Sequence, residues 1–271
     1  MAGFHRQGFV PPDIDHWPDQ VNGDQLQRHT AHYDVLAVSK DTLIWRDKTA
    51  ASPTIIKLYF QRGVITWWRM HAFAFRVERE FNALRAMHDA GVPVSVPVAW
   101  SKGFAGHLGG RFEALMTEEI ADVTPLSDWL SQPHDTAQRQ QLLFSLMSHL
   151  ATMHHAGIYH GALYTRNVLV SEPQQAHARV ALIDTPKAVI LPHDVFGSPL
   201  ARLDMINFFQ RLTRSRAVPF DEMLDYARCY GFKPQHAKTL IRQAADYQPS
   251  SNRRNLERAM SMLYFLGVKR A

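Results

Sequence analysis

Cysteine is almost missing from this sequence, which has one, Cys229, in 271 residues. One cysteine excludes an intramolecular disulfide and any metal site built from several cysteines. We expect Cys229 to pack on a helix. Histidine is common, but the 15 histidines include no H-E-x-x-H pair. We therefore favour a structural role over a metal site for the cluster of His149, His154 and His155.

Long apolar runs are missing as well. No segment approaches the roughly 20 consecutive apolar residues that a membrane-spanning helix needs, and the first residues lack the apolar core of a signal peptide. We therefore expect a cytoplasmic protein. The charge is only mildly basic, with 30 Lys and Arg against 25 Asp and Glu. This excess suits an anionic substrate, a nucleotide or an acidic lipid surface, but it is too dispersed to predict nucleic-acid binding.

The most informative stretch runs from Tyr159 to Val170 and contains the spacing H-x-x-x-x-x-x-N, from His160 to Asn167. An apolar segment further along ends in Asp184. This order is typical of a kinase catalytic loop followed by a metal-binding aspartate. An amide oxygen and a carboxylate suit Mg²⁺, which prefers oxygen ligands and bridges the phosphates of a nucleotide.

A second constellation lies earlier in the chain. Lys57 stands inside the apolar, β-branched strand predicted for Thr54–Phe60, and Glu80 lies in the helix predicted for residues 70–90. A strand lysine paired with a helix glutamate orients the α- and β-phosphates of a nucleotide in kinases. Glu78 is the competing partner, but it lies on another side of the helix from Glu80. The preceding hairpin turn, Ser39–Asp41, lacks the glycines of a phosphate-covering loop.

Two tryptophans framed by arginines occupy the segment Gln61–His71. Such a cluster suits a membrane interface or a phosphorylated sugar. It equally suits a loop that packs against the rest of the protein and buries both rings. We keep both interpretations open, with a peripheral membrane contact through Gln61–His71 as the functional one.

The order of elements predicts an α+β fold with a small β-rich N-lobe and a larger helical C-lobe. Residues 1–32 have no clear periodicity and are predicted to form an irregular arm, residues 33–119 the N-lobe and residues 120–271 the C-lobe. Strands are predicted at Tyr33–Val38, Thr42–Arg46, Thr54–Phe60, Val96–Trp100 and Arg111–Thr117, with a turn at Gly103–Gly110. Helices are predicted at 70–90, 136–155 (capped by Asp135 or Thr136), 200–213, 219–230, 234–247 and 252–266.

These residues resemble a family. The order of Lys57, Glu80, His154, His160, Asn167 and Asp184 resembles the protein-kinase-like fold. Within that fold the chain looks most like the bacterial lipopolysaccharide core kinases, the heptose kinase and InaA-like group. Three short matches carry the likeness: Ile55–Tyr59, Arg79–Leu84 with the following Gly91-Val92-Pro93, and Gly157–His160 with Leu182–Asp184.

The resemblance implies ATP- and Mg²⁺-dependent phosphorylation of an inner-core sugar of lipopolysaccharide, or of another anionic glycolipid, at the cytoplasmic face of the inner membrane. It implies that Lys57 orients phosphates, that Glu80 holds Lys57, and that Asn167 and Asp184 bind Mg²⁺. Glu118 and Ile120 fall where a hinge binds adenine through backbone groups. Arg166 is the candidate cation of the loop, and Asp204 resembles the helix aspartate that braces it. His160 is a catalytic candidate, although we favour a role in packing beneath the loop.

The chain departs from this pattern at Ala162, where these families place the catalytic base. Loss of a general base typically lowers the rate about 10²–10⁴-fold. Because phosphoryl transfer depends mostly on positioning and charge stabilisation, a slow enzyme is still compatible with the sequence. The alternative is a pseudokinase that binds nucleotide or core oligosaccharide without turnover. An antibiotic or choline-type small-molecule kinase fits less well, because those enzymes carry the loop aspartate.

Overall fold

The computed structural model describes residues 5–7, 33–39, 42–48, 52–61, 76–105, 110–171 and 178–247. The segment Gln61–His71 beyond its first residue, residues 70–75 and the helix predicted at 252–266 lie outside these ranges. The described residues fall into two compact units. The first lies within Met1–Asn82 and Ser95–Glu119, and the second within Ala83–Val94 and Ile120–Ala271.

The first unit is built on an antiparallel six-stranded sheet with the order β1-β5-β6-β4-β3-β2. Its strands are β1 (His5–Gln7), β2 (Tyr33–Ser39), β3 (Thr42–Asp47), β4 (Thr54–Gln61), β5 (Pro97–Ala105) and β6 (Gly110–Glu118). Burial alternates along β3, where Leu43 and Trp45 are buried and their neighbours half-buried, as expected when one face of a sheet covers a core.

Two sequence expectations for this sheet are corrected. The arm predicted to be irregular contains β1, whose three residues pair with Trp100, Ser101 and Lys102 of β5. Three residues held by backbone pairing are too few to produce a side-chain alternation. The turn predicted at Gly103–Gly110 is also too wide, because Gly103 pairs with Phe112 and Ala105 with Gly110 in the ladder. Glycine is tolerated inside a strand, although it weakens the strand.

Helix α1 (Arg76–Asp89) follows β4 in the described chain. Its apolar residues recur at the expected spacing, and Val77, Phe81, Leu84 and Met87 are buried. The amide of Val77 donates to Oε2 of Glu113 at 2.9 Å, so a buried carboxylate from β6 satisfies an amide in the first helical turn. This carboxylate fixes the start of α1 against the sheet.

The second unit is mainly helical. Its elements are β7 (Val123–Pro125), α2 (Leu126–Trp129), α3 (Thr136–His155), β8 (Ile158–Tyr159), β9 (Val168–Ser171), β10 (Arg179–Leu182), β11 (Val189–Ile190), α4 (Pro199–Ser215), α5 (Phe220–Tyr230) and α6 (Pro234–Asp246). The strands form one three-stranded and one two-stranded sheet, β10-β9-β7 and β11-β8. With a strand-rich first unit and a helical second one, the predicted α+β class is confirmed.

Helix α3 leads the chain into the catalytic-loop motif. Asp135 caps its start by accepting from Ala137 and Gln138 at 3.2 and 3.4 Å, one of the two caps predicted. Gly157 ends it with a φ of 79°, and a side chain there would lie 2.5 Å from the carbonyl oxygen of Leu191. Beyond it, Tyr159 packs with Val189, Leu191 and Val195. No helix among the described residues is long and apolar enough to cross a membrane.

Candidate functional site

The ion pair predicted between Lys57 and Glu80 is present in the first unit. The ammonium of Lys57 lies 3.2 Å from Oε1 of Glu80. The Glu80 side chain is 2% exposed and that of Lys57 is 15% exposed. A carboxylate buried so deeply is costly unless it is paired and hydrogen-bonded. The pair therefore fixes the lysine in one direction, while its role toward phosphates stays a prediction.

Tyr59 is a member of this network that the sequence reasoning missed. Its hydroxyl donates to Oε2 of Glu80 at 3.2 Å, so both carboxylate oxygens are engaged. Burial, with the nearby Glu80 carboxylate, raises the pKa of Tyr59, which keeps the phenol protonated as a donor. The Arg76 guanidinium lies 3.9 Å from the centre of the Tyr59 ring. The only sequence signal was a tyrosine two residues after the lysine, on the same face of β4.

In the second unit the loop from His160 to Asn167 is held by Asp204 of α4. The carboxylate of Asp204 accepts from the backbone amides of His160 at 2.7 Å and Gly161 at 3.0 Å. Nε2 of His154 lies 3.4 Å from the same carboxylate, and Nδ1 of His154 lies 2.6 Å from the Tyr230 hydroxyl. All these groups are buried, so the chain from Tyr230 through His154 to Asp204 forms a hydrogen-bonded support beneath the loop.

His160 and Gly161 have structural reasons for their positions. His160 is completely buried, and burial lowers its pKa, so its ring is neutral. Its Nδ1 accepts from the amide of Ala162 at 3.3 Å. This burial favours the packing role over the catalytic role considered for His160. Gly161 has a φ of 75°, and a side chain there would lie 2.6 Å from the Lys187 carbonyl oxygen, so only glycine fits without strain.

Asn167 and Asp184 are brought together by the backbone. Nδ2 of Asn167 donates to the carbonyl of Ala162 at 2.8 Å, which turns the amide oxygen Oδ1 outward from that bond. The carbonyl of Asn167 accepts from the amide of Ile183 at 3.0 Å, next to Asp184 in the chain. Asp184 has a φ of 60°, the left-handed conformation that non-glycine residues rarely adopt and that is found at functional sites.

Ala162, where the resemblance predicts an acid, is only 6% exposed. Its carbonyl accepts from both the Tyr164 amide, at 2.9 Å, and the Asn167 side chain. The loop therefore has a defined conformation without a carboxylate at position 162. Arg166, the predicted cation, is exposed, and its guanidinium carbon lies 5.1 Å from the centre of the Tyr164 ring.

Other predicted site residues are placed less decisively. Glu118 ends β6, its amide donates to Val96 at 2.8 Å, and its carbonyl accepts from Ser95 at 2.9 Å. Ile120 is half-buried. Their adenine-binding role stays a prediction, as does the membrane contact of Gln61–His71, which lies outside the described residues beyond Gln61. Among the residues described, no group of three or more His, Cys, Asp or Glu is arranged to hold a metal.

Comparisons with known proteins show which proteins this chain resembles. Residues 63–191 match the lipopolysaccharide kinase (Kdo/WaaP) family. The lipopolysaccharide core heptose(I) kinase WaaP of Escherichia coli is 26% identical over 118 residues. That alignment covers 41% of this chain and 44% of the relative, so the chain spans less than half the length of the curated protein that it matches.

A solved structure is similar over a larger share of the chain. It is described as WaaP in complex with acyl carrier protein, with a TM-score of 0.57 and 17% sequence identity. The match covers 93% of this chain and 96% of that one, and it confirms the predicted kinase-like fold. The sequence resemblance is confirmed as well: residues 63–191 of this chain are similar to the lipopolysaccharide kinase (Kdo/WaaP) family.

Proposed function

We propose that this protein is a slow ATP- and Mg²⁺-dependent kinase that phosphorylates a sugar of the lipopolysaccharide inner core at the cytoplasmic face of the inner membrane. One observation carries the proposal. The Asp204-braced loop fixes the Asn167 side chain through the Ala162 carbonyl, and the Asn167 backbone bonds the residue before Asp184. A kinase needs this pair of oxygen donors, and their support is intact although the loop aspartate is absent.

The residues present fit Mg²⁺ bound together with a nucleotide. Asn167 uses its amide nitrogen in the bond to Ala162, so its oxygen is the atom suited to a cation. Asp184 supplies a carboxylate. Mg²⁺ usually takes one or two protein oxygens and completes its shell with phosphates and water. A pair of oxygen-bearing side chains, without a larger acidic cluster among the described residues, matches this mode of binding.

Each proposed functional residue has a stated task. Bound Mg-ATP would supply the phosphoryl group and neutralise the negative charge that develops during transfer. Lys57, fixed by Glu80, orients the α- and β-phosphates, and Arg166 adds a positive charge on the loop. Asn167 and Asp184 hold the metal. Ala162 has no group to accept the acceptor's proton, so we expect a rate about 10²–10⁴-fold below that of an enzyme with a base.

Nucleotide binding can be tested without turnover. In a thermal-shift titration, Mg-ATP at about 100 times its dissociation constant should add about 2.7 kcal/mol to the free energy of unfolding. Asp184→Ala and Lys57→Met should each remove most of this gain, because they remove a metal ligand and the phosphate cation. Asp225→Ala breaks only an exposed ion pair with Arg228 and serves as the control. Equal stabilisation of all four proteins would contradict the proposed site.

A pseudokinase is the second candidate, favoured by the methyl group at position 162. Phosphotransfer to purified inner-core oligosaccharide should be slow in the wild type and should rise about 10²–10⁴-fold in Ala162→Asp, provided the acceptor still binds. If the wild type turns over at about 1–100 s⁻¹, another group acts as the base, and Tyr164 and Asp184 are the first to substitute. Nucleotide binding without turnover in either protein would establish the pseudokinase.

A further inference from the structure

Two guanidinium groups lie close to one aromatic ring beside the altered position of the loop. The guanidinium carbons of Arg166 and Arg211 lie 5.1 and 5.0 Å from the centre of the Tyr164 ring. Arg166 is exposed, and Arg211 and Tyr164 are half-buried. Within the described part of the chain, neither arginine has an ion pair or a hydrogen bond. Two positive charges therefore lie near one ring, and neither is paired with a carboxylate of the described residues.

The backbone explains why these groups meet. Arg211 lies two helical turns after Asp204 on α4, so both project from nearly the same face of the helix. Asp204 binds the start of the loop, and Arg211 reaches the ring of Tyr164 further along it. The Tyr164 amide and carbonyl are both bonded within the loop, to Ala162 and Asn167. Tyr164 is therefore held close to position 162. Arg166 and Arg211, which lie near its ring, are close to that position as well.

The chemistry of this arrangement suits an anion. Guanidinium groups present a planar fork of donors that matches the oxygens of carboxylates and phosphates. The face of an aromatic ring offsets part of the repulsion between two cations, but it is a weaker partner than an anion. Ala162 contributes to the same effect, because an aspartate there would place a negative charge beside the site and repel an anionic ligand.

We propose that Tyr164, Arg166 and Arg211 form a subsite for the anionic group of the acceptor, a carboxylate or phosphate on a sugar. This inference rests on the proposed function and adds the acceptor's chemistry to it. The subsite would hold the acceptor by its charge beside Ala162, and because this contact is made equally before and during transfer, it would lower the KM for the acceptor. It also predicts that Ala162→Asp, although it transfers phosphate faster, has a higher KM for a charged acceptor.

Binding at this subsite can be followed by NMR on the full chain, without nucleotide or turnover. Nε of Arg211 is buried without a hydrogen-bond partner, so its N–H signal reports directly on its guanidinium. Glucose 6-phosphate and glucuronate should shift this signal in a saturable way, and uncharged glucose should not. The better of the two anions identifies phosphate or carboxylate. Arg166→Gln should weaken this binding about tenfold, the effect of one charge-assisted hydrogen bond.

Controls separate this subsite from general charge effects and from the nucleotide site. Arg214→Gln removes the same charge from an exposed position on the same helix and should leave the sugar affinity within about twofold, because exposed charges are screened. If Arg211→Gln weakens binding of ATP but not of ADP, the arginine serves the nucleotide's terminal phosphate and the acceptor assignment is overturned. No response of the Arg211 signal to either anion also overturns it.

The subsite and the proposed function fail in different ways. If the protein phosphorylates inner-core oligosaccharide while the Arg211 signal ignores both anions, the subsite is wrong and the function stands. If the signal responds to the anions but inner-core oligosaccharide is neither bound nor phosphorylated, the subsite stands and the proposed substrate is wrong. When both hold, Arg211→Gln should raise the KM for the oligosaccharide about tenfold and leave kcat nearly unchanged, as for lost uniform binding.

Discussion

Each of the two units contains a buried carboxylate at the centre of its proposed functional residues, and the two carboxylates are bonded differently. Glu80 in the first unit accepts from two side chains, those of Lys57 and Tyr59. Asp204 in the second unit accepts from the backbone amides of His160 and Gly161, and Nε2 of the His154 side chain lies 3.4 Å from the same carboxylate. Backbone amides persist whatever the side chain, so the loop can change its chemistry without losing its support. Lys57, in contrast, depends on side chains that single substitutions remove.

This difference gives a physical reason for the intact loop around Ala162. The groups that fix the loop are the Asp204 carboxylate, the backbone amides and the Asn167 amide, and none of them requires a carboxylate at position 162. Replacing an acid there therefore removes a chemical group and leaves the conformation in place. An equivalent loss at Glu80 would remove the carboxylate that the Lys57 and Tyr59 side chains bind.

The largest effect should come from Asp204→Ala. It leaves two backbone amides and the buried Nε2 of His154 without their acceptor, and we expect a loss of about 3–5 kcal/mol in the free energy of unfolding. Asp204→Asn keeps one acceptor oxygen and should cost about 1–3 kcal/mol. Urea denaturation measures both. The exposed Asp225→Ala is the control and should cost less than about 0.5 kcal/mol. A loss below about 1 kcal/mol for Asp204→Ala would remove the contrast between the units.

A smaller effect is expected at Glu113, the buried carboxylate that holds the start of α1. Glu113→Ala leaves the Val77 amide unsatisfied and should cost about 1–3 kcal/mol. Glu113→Gln retains an acceptor oxygen and should cost less than about 1 kcal/mol at pH 7, because burial makes the charged form unfavourable. Chemical denaturation of the two variants should rank them in this order. Equal losses would show that the charge, and not the acceptor, matters.

The pH dependence of stability provides an independent test of Glu113. Burial raises its pKa above the usual value, so the folded protein binds a proton at a pH where the unfolded chain does not. The contribution of Glu113 to the free energy of unfolding therefore increases as the pH falls through the folded-state pKa toward 4.5. This gain is absent well above that window. As the pH falls through this range, the free energy of unfolding of the wild type should increase relative to that of Glu113→Gln. A constant difference between them would contradict the raised pKa.

Sequence patterns identify residues that belong to short motifs, but they miss residues that come together only when distant elements of the chain pack. The pairing of a strand lysine with a helix glutamate in kinases predicts that Lys57 meets Glu80. Asp204 is identified by the resemblance. Tyr59 and Glu113 are paired across β4 and β6, and that register depends on contacts distant in sequence. In the sequence, Arg211 looks like an ordinary surface residue. Only the structure shows that α4 places it beside Tyr164. The left-handed backbone of Asp184 leaves little signal in residue type, because even aspartate, which is enriched in that conformation, adopts it in only a minority of cases.

The smallest predicted effect is that of Tyr59→Phe, and it tests how much the Tyr59 hydroxyl contributes to holding the Glu80 carboxylate. The substitution removes one hydrogen bond to a carboxylate that keeps Lys57 as a partner, so we expect a loss of about 1 kcal/mol in the free energy of unfolding. Tyr247→Phe is a matched control, since its hydroxyl has no hydrogen bond within the described residues. A double-mutant cycle with Lys57→Met measures the coupling, which residues sharing one network should show at about 0.5–3 kcal/mol. Additive losses would mean that Tyr59 and Lys57 contact Glu80 independently. The contrast with the backbone-held loop of the second unit would then rest on the Lys57 contact alone.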